Sequence, residues 1–413
     1  MWDRGINDLG CKTRMSRPPR ILWATRYCLI DHTSGAALSA REMLCQLASR
    51  GWEVEVIGAT VFETGGGPPE IRARLDEIEK PGTLVRYSDG PLKHIWVKTE
   101  SPQMRDMRIH ELDKLLVLYL KRLEEWQPDI VWLYGGKTFE LLALGDAKQS
   151  GAATAFFLVN GNYKGKRWHQ DVDVILTDSQ ATSELYKKTQ GIHPQPIGKF
   201  IRRQTVVPLR HERSHVTFVN PKPEKGAYLV AQMAMALEHR RPDIQFEVVE
   251  SRGTWGDIVR RITARQGQQR DSLLNVLVTP NTTDMRPVYG RSRVVLSPSL
   301  WWESGNRVLV EAMLNGIPAI VTNRGGPPEM IGDGGIAITL PEIFHKPPYS
   351  RLLPPDALAL ITGMIEQMYD DEAGYQSMVR EAVKAGEERH DIERNTDRLI
   401  EQLSNLMRIV SSD

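Results

Sequence analysis

Residues Leu296–Gly335 read LSPSLWWESGNRVLVEAMLNGIPAIVTNRGGPPEMIGDGG, and this stretch decides the architecture. Val294–Ser297 is a short apolar run of the kind that forms a buried parallel strand. It ends at Pro298-Ser299 and opens into a loop carrying Glu303. Arg307 to Leu314 has apolar residues at helical spacing, with Asn315-Gly316 as the stop. Pro318–Thr322 reads as the next strand, and Gly325-Gly326-Pro327-Pro328-Glu329 turns into another helix. Two loops at the C-terminal ends of neighbouring strands thus each feed a helix N-terminus. Open α/β sheets hold their ligands there, and helix N-termini favour phosphate.

Glu303 precedes the helix start and Glu311 lies within the helix, eight residues on. Eight residues of helix rise about 12 Å. One carboxylate can therefore meet a group at the helix mouth while the other meets a group further along. The unbonded amides of the first turn, near Ser304, Gly305 and Asn306, lie between them. A sugar at one end, a ribose at the other and a diphosphate between would suit this layout, because carboxylates accept from hydroxyls and amides take phosphate charge. Two glutamates eight apart mean little alone; the flanking strand, the Pro-Ser step and the Gly-Gly turn give them their context.

The whole chain has 413 residues, a length that fits two domains or three, with 41% hydrophobic and 25% charged residues as in a globular protein. A net charge of +1 argues against a nucleic-acid binder. No apolar run is long enough for a membrane span, and the basic 202–213 segment allows only peripheral membrane contact. Cys11, Cys28 and Cys45, with no CxxC spacing, imply neither a disulfide framework nor a zinc site, so a cytoplasmic location is expected. Residues 1–19 read as a flexible leader, with Met15 as an alternative start.

In the first half, Arg20–Thr25 reads as a strand, followed by a loop over Arg26–Ser34. Gly35-Ala36-Ala37 then opens a helix that Gly51 ends, and Trp52–Ile57 is the next strand. Gly35 allows a ligand close to the backbone at this βα turn. Further elements expected are a helix over Ile71–Lys80, strands at Leu84–Tyr87 and Leu92–Lys98, and a helix over Met104–Trp126. Strands at Ile130–Tyr134 and Ala152–Val159 end in turns carrying Lys137 and Asn160-Gly161, the second of which would sit at the C-terminal edge of the first sheet. Asp171-Val172-Asp173 has a spacing that can hold a divalent metal, but Asp173 directly precedes an apolar strand and no His or Glu partner lies nearby, so no metal site is assigned. Asp178-Ser179 caps a helix through Lys188, and Gln195–Phe200 is the last strand of this half.

Residues 201–213 are basic and irregular, the expected linker. His215–Val219 begins a second sheet, and its loop runs Asn220-Pro221-Lys222-Pro223-Glu224-Lys225-Gly226. Strands follow at Ile244–Val249, Leu273–Thr279 and Gly335–Thr339, with a short helix over Asp284–Tyr289. Trp301 and Trp302 flank Glu303 and can either stack on a ligand or pack under the loop. From Pro354 the chain reads as helical, ending in an amphipathic helix over Asp391–Val410.

These motifs resemble the retaining glycosyltransferases of family 4, whose hallmark is two glutamates separated by seven residues. Glu303 and Glu311, the EAM–G–P run and the Gly-Gly–Pro-Glu turn carry the resemblance, with Arg50-Gly51-Trp52-Glu53-Val54 and Lys225-Gly226 as further matches. The chain departs at Asn220-Pro221, where the family usually has Gly-Arg, at Asn160 in place of a common histidine, and at Asn306 in place of a glycine. The resemblance implies a GT-B fold: two Rossmann-like α/β domains facing across a cleft, with a last helix crossing back to the first. In residue ranges this is 20–200 for the acceptor domain, 201–213 for the linker, 214–390 for the nucleotide-sugar domain and 391–413 for the returning helix. It implies a nucleotide-diphosphate sugar as donor substrate, no permanently bound cofactor and no metal. Glu303 and Lys225 would be the catalytic residues, Lys225 meeting the diphosphate. Glu311 would bind the ribose, and Ser304, Gly305, Asn306, Arg307, Gly35, Asn220 and Arg252 the rest of the donor, with Arg252 replacing the absent arginine. Asn160, Gly161 and Lys137 would face the acceptor hydroxyl. A nucleotide-sugar epimerase on the same fold, or a non-catalytic binding homologue, would share these features. Base, sugar, acceptor and oligomeric state are left open.

Overall fold

A computed structural model of the chain describes residues 17–64 and 67–410. Most of the expected leader, with Cys11 and Met15, lies outside the described residues. Strands β1 (Arg20–Ala24), β2 (Glu53–Ala59), β3 (Leu84–Asp89), β4 (Leu92–Val97), β5 (Ile130–Leu133), β6 (Ala153–Leu158), β7 (Val174–Thr177) and β8 (Gln195–Pro196) form one sheet. Its order is β3-β4-β2-β1-β5-β6-β7-β8. Strands β9 (His215–Val219), β10 (Gln245–Val249), β11 (Val276–Thr279), β12 (Ser292–Ser297), β13 (Ala319–Thr322) and β14 (Gly335–Ile338) form the other, in the order β11-β10-β9-β12-β13-β14. The second sheet is parallel throughout. In the first, β3 runs antiparallel to β4, joined through Gly90-Pro91. Strand direction is not carried by residue pattern, so this hairpin edge became visible only in the fold.

The central strands are apolar on both faces because helices cover both. All six residues of β6 are buried, and Trp23 meets Trp132 edge-on, with ring centroids 5.4 Å apart. The last helix, Ile392–Val410, places Leu399, Leu403 and Leu406 in the core of the first sheet beside the Gly35–Ser49 helix. Those three leucines recur at i, i+4 and i+7, the spacing that lines one helical face.

Several boundaries differ from the sequence expectation. The helix expected over Ile71–Lys80 runs Pro69–Asp76, because proline suits the first helical position. The segment expected over Met104–Trp126 is a short 3-10 turn followed by a helix over Ile109–Trp126. The stretch 201–213 contains a helical turn, Arg203–Val206, and Ile201 and Val206 are buried against Tyr289 of the second lobe. Its apolar residues give it a packing partner despite the basic composition. Among the described residues, no helix is long and apolar enough to cross a membrane.

Each sheet reverses its winding once. In the first the reversal falls between β1 and β5, in the second between β9 and β12. Crevices outside the C-terminal ends of strands open at such points. The two crevices face one another across a cleft of about 320 Å³.

Candidate active site

On the second lobe, the loops after β9 and β12 form the cleft wall. Gly226 holds a φ of 86°, and a Cβ there would stand 2.2 Å from the Pro298 carbonyl oxygen. Only glycine allows the two loops to approach this closely. The approach brings the Lys225 ammonium to the Glu303 carboxylate, where it donates to Oε1. Ser299 Oγ donates to the same oxygen at 2.7 Å and Trp301 Nε1 at 2.8 Å. Lys225 Nζ also lies 5.2 Å from the Trp301 ring centroid. Burial is the largest influence on the Glu303 carboxyl and opposes its ionisation, but the Lys225 charge and the three donors together hold it below the usual glutamate range. All three donors converge on Oε1. Oε2 takes none of them.

The helix Arg307–Leu314 begins at Asn306, whose Oδ1 accepts from the Val308 amide at 3.0 Å. Asn306 Nδ2 donates to Ser297 Oγ, and its own amide is directed at Met330 Sδ, 3.2 Å away. Gly305, Asn306 and Arg307 line the cleft. Ser304 Oγ pairs with Thr177 Oγ1 of the first lobe at 3.0 Å. Glu311 is buried and does not line the cleft: Arg307 Nε lies 2.6 Å from its Oε1, and the Tyr289 hydroxyl donates to its Oε2 at 2.5 Å. Of the two spaced glutamates, one faces the cleft directly and the other holds an arginine that does.

The first lobe contributes the facing wall. Ser34 caps the Gly35–Ser49 helix, its Oγ accepting from the Ala37 amide. A Cβ added at Gly35 would meet no atom within 4 Å, so the helix start is open. Asn160 lines the cleft and forms an antiparallel bridge with Glu303, tying the lobes at that point. Asp178 and Lys199 form a buried pair at 2.9 Å, and Lys199 also donates to Ser39 Oγ. Burial pushes the Asp178 carboxyl up; Lys199 opposes this and the Glu303 charge adds to it. Arg252 reaches from the second lobe to Glu63 of the first, 3.1 Å apart, with its amide donating to Asn220 Oδ1. Each Lys and Arg lining the cleft among the described residues is therefore already paired: Lys225 with Glu303, Lys199 with Asp178, Arg252 with Glu63, Arg307 with Glu311. An anionic ligand would enter by exchanging these partners.

Of the residues singled out from sequence, Glu303, Lys225, Gly305, Asn306, Arg307, Gly35, Asn220, Arg252 and Asn160 share this cleft. Lys137, Gly161 and Ser304, whose hydroxyl is taken up by Thr177, do not line it. Lys137 starts the Thr138–Gln149 helix with its side chain in solvent, and Gly161 lies against the Trp302 ring, where a Cβ would come within 2.9 Å. The tryptophans divide accordingly: Trp301 lines the cleft, and Trp302 packs beneath the loop with Nε1 donating to Thr182 Oγ1. Asp173 is occupied by Thr154 and Lys148. Among the described residues, no cluster of three or more His, Cys, Asp or Glu is arranged to hold a metal ion. Sequence reasoning missed His32, Glu63, Asp178 as a cleft residue, and Lys199. Position at the end of a parallel strand was the available signal for Asp178; the others lie in loops whose direction the sequence leaves open.

Comparisons with known proteins bear on the fold and on the second lobe. Residues 214–345 match the family described as glycosyl transferases group 1. Spore coat protein SA of Bacillus subtilis is 27% identical over 163 residues, a match spanning 38% of this chain and 38% of that protein. Among solved structures, sucrose-phosphate synthase from Thermosynechococcus elongatus superposes with a TM-score of 0.68 at 14% identity, covering 95% of this chain and 100% of that one. A glycosyltransferase from Rickettsia africae gives 0.66 at 15% identity, covering 94% and 99%. Anabaena HepE in complex with UDP-glucose gives 0.65 at 14% identity, covering 94% and 99%. The molecule thus has the GT-B fold of two Rossmann-like domains across a cleft, and its residues 214–345 carry the pattern of the glycosyl transferases group 1.

Proposed function

We propose that the protein is a retaining glycosyltransferase, moving a sugar from a nucleotide-diphosphate donor to an acceptor hydroxyl without a resident metal or cofactor. The observation that carries this reading is the Lys225–Glu303 pair at the winding reversal of the second sheet, beside the start of the Arg307–Leu314 helix. As the glycosidic bond breaks, negative charge builds on the leaving diphosphate. Lys225 stands beside it and meets that charge by exchanging part of its pairing with Glu303 for the phosphate. Glu303, kept ionised, accepts from sugar hydroxyls through Oε2 and so orients the ring. Arg307 and Arg252 supply further positive charge for the phosphates, and Glu311 acts on the donor through Arg307. The acceptor enters from the side of Ser34, Gly35 and Asn160. HepE, with the same fold, was solved with UDP-glucose, which supports a nucleotide-sugar donor here. We also place the protein in the cytoplasm, on the unpaired, buried state of Cys28 and Cys45.

The test is a melting-shift screen with uridine, guanosine and adenosine diphosphates, followed by their hexose esters and product analysis with and without acceptors. A nucleoside diphosphate that raises the melting temperature, and transfer with retained anomeric configuration, are expected. Absence of any nucleotide effect would remove the proposal. A new sugar epimer formed without acceptor would assign the fold to isomerisation instead.

A further inference from the structure

Asp178 lies at the end of β7 on the first lobe and is 4% exposed. Its Oδ2 accepts from Lys199, whereas Oδ1 is buried without a hydrogen-bond partner. An unpartnered buried carboxylate oxygen is costly, and its retention beside a cleft asks for a reason. The pair is rigidly seated: Lys199 also donates to Ser39 Oγ, and its carbonyl accepts from Asn395 Nδ2 at 2.7 Å. Across from it stands Gly305, where a Cβ would fall 2.5 Å from Asp178 Cβ and 2.6 Å from Lys199 Cε. The glycine is what allows the first-lobe pair to reach the mouth of the Arg307–Leu314 helix. Two carboxylates, Glu303 and Asp178, thus flank Gly305 from opposite lobes, close enough for the charge of one to act on the other. Each acid is paired with a lysine, and a ring bearing hydroxyls finds acceptors on both sides.

We infer that Asp178 is a specificity-determining residue for the sugar end of the cleft, its Oδ1 accepting a hydrogen bond from a hydroxyl of an uncharged donor sugar lying over Gly305 opposite Glu303. The inference rests on the glycosyl-transfer reading above. It adds the class of sugar: neutral hexoses, whose hydroxyls can donate to both acids, are preferred over sugars carrying a carboxylate, such as a glucuronate ester, which would set an acceptor against an acceptor.

The experiment compares the wild-type chain with Asp178→Asn. Because asparagine leaves Lys199 buried without a counter-charge, the double variant Asp178→Asn with Lys199→Met is included. Binding of the nucleoside diphosphate alone and of its neutral hexose and glucuronate esters is measured for each. Expected for the Asp178 variants is diphosphate affinity within about twofold of wild type, hexose-ester affinity about tenfold weaker, and a smaller preference for hexose over glucuronate. Equal losses for diphosphate and hexose ester, or no loss for either in the folded double variant, would overturn the inference. A wild-type chain that binds no nucleotide overturns the functional reading and this inference with it. One that binds hexose esters independently of Asp178 overturns the inference alone.

Discussion

The carboxylate of Glu329, in the second lobe, accepts the backbone amide of Ala181, in the first lobe, at 3.0 Å. Its other oxygen accepts the Gln180 amide, also at 3.0 Å. These amides open the Gln180–Gln190 helix, so a side chain of one lobe caps a helix of the other. Glu329→Ala should lower unfolding free energy by about 1–2 kcal/mol. A urea titration followed by tryptophan fluorescence reads this directly. An unchanged midpoint would show that the cross-lobe cap contributes nothing.

Lys225 holds the Glu303 carboxyl ionised against burial, which predicts a pH effect with a definite sign. A carboxyl depressed in the folded state adds stability above its unfolded pKa, about 4.3, and loses it as the pH falls through the folded value. The acid limb of kcat/KM due to Glu303 should therefore lie below the ordinary glutamate range. In Lys225→Met, burial acts unopposed, so the limb should move up by about one unit or more. Turnover at neutral pH should fall about 100-fold. A limb that stays put in the variant would break the assignment.

Glu311 is engaged by Tyr289 and Arg307, so its loss reaches the site indirectly. Glu311→Ala leaves the buried Tyr289 hydroxyl without its acceptor and should cost about 1–3 kcal/mol of stability. It should also weaken donor binding, because Arg307 loses its tether. Glu311→Gln should recover most of the stability while restoring less of the binding. Calorimetric unfolding and nucleotide titration of both variants separate the two effects.

Gly325 has a φ of 77°, and a Cβ there would lie 2.2 Å from the Glu303 carbonyl oxygen. The neighbouring Gly326 amide donates to that same carbonyl at 2.8 Å. Gly325→Ala should thus displace the Glu303 loop, with a stability loss of about 2–3 kcal/mol and a fall in kcat. Wild-type kcat in the folded variant would show that the loop tolerates the shift.

The local pattern of the chain carried much of this molecule. Buried strands such as Ala153–Leu158 are continuous apolar runs, and the Asn315-Gly316 stop marks its helix end, with Gly316 at a φ of 60°. Such signals arise from residues close in sequence, whose backbone preferences and periodicity act without knowledge of the rest. They were enough to place Glu303, Lys225 and the start of the Arg307–Leu314 helix at the C-terminal edge of one sheet. What the tertiary structure alone decided is which charges meet. Arg252 pairs with Glu63, 189 residues away, and Lys199 and Asp178 are carried to Gly305 from the other lobe. Glu311 turns to Tyr289 because a buried carboxylate takes the donors that packing supplies. Those pairings depend on how two sheets and their loops come together in space, and spacing along a chain does not encode that.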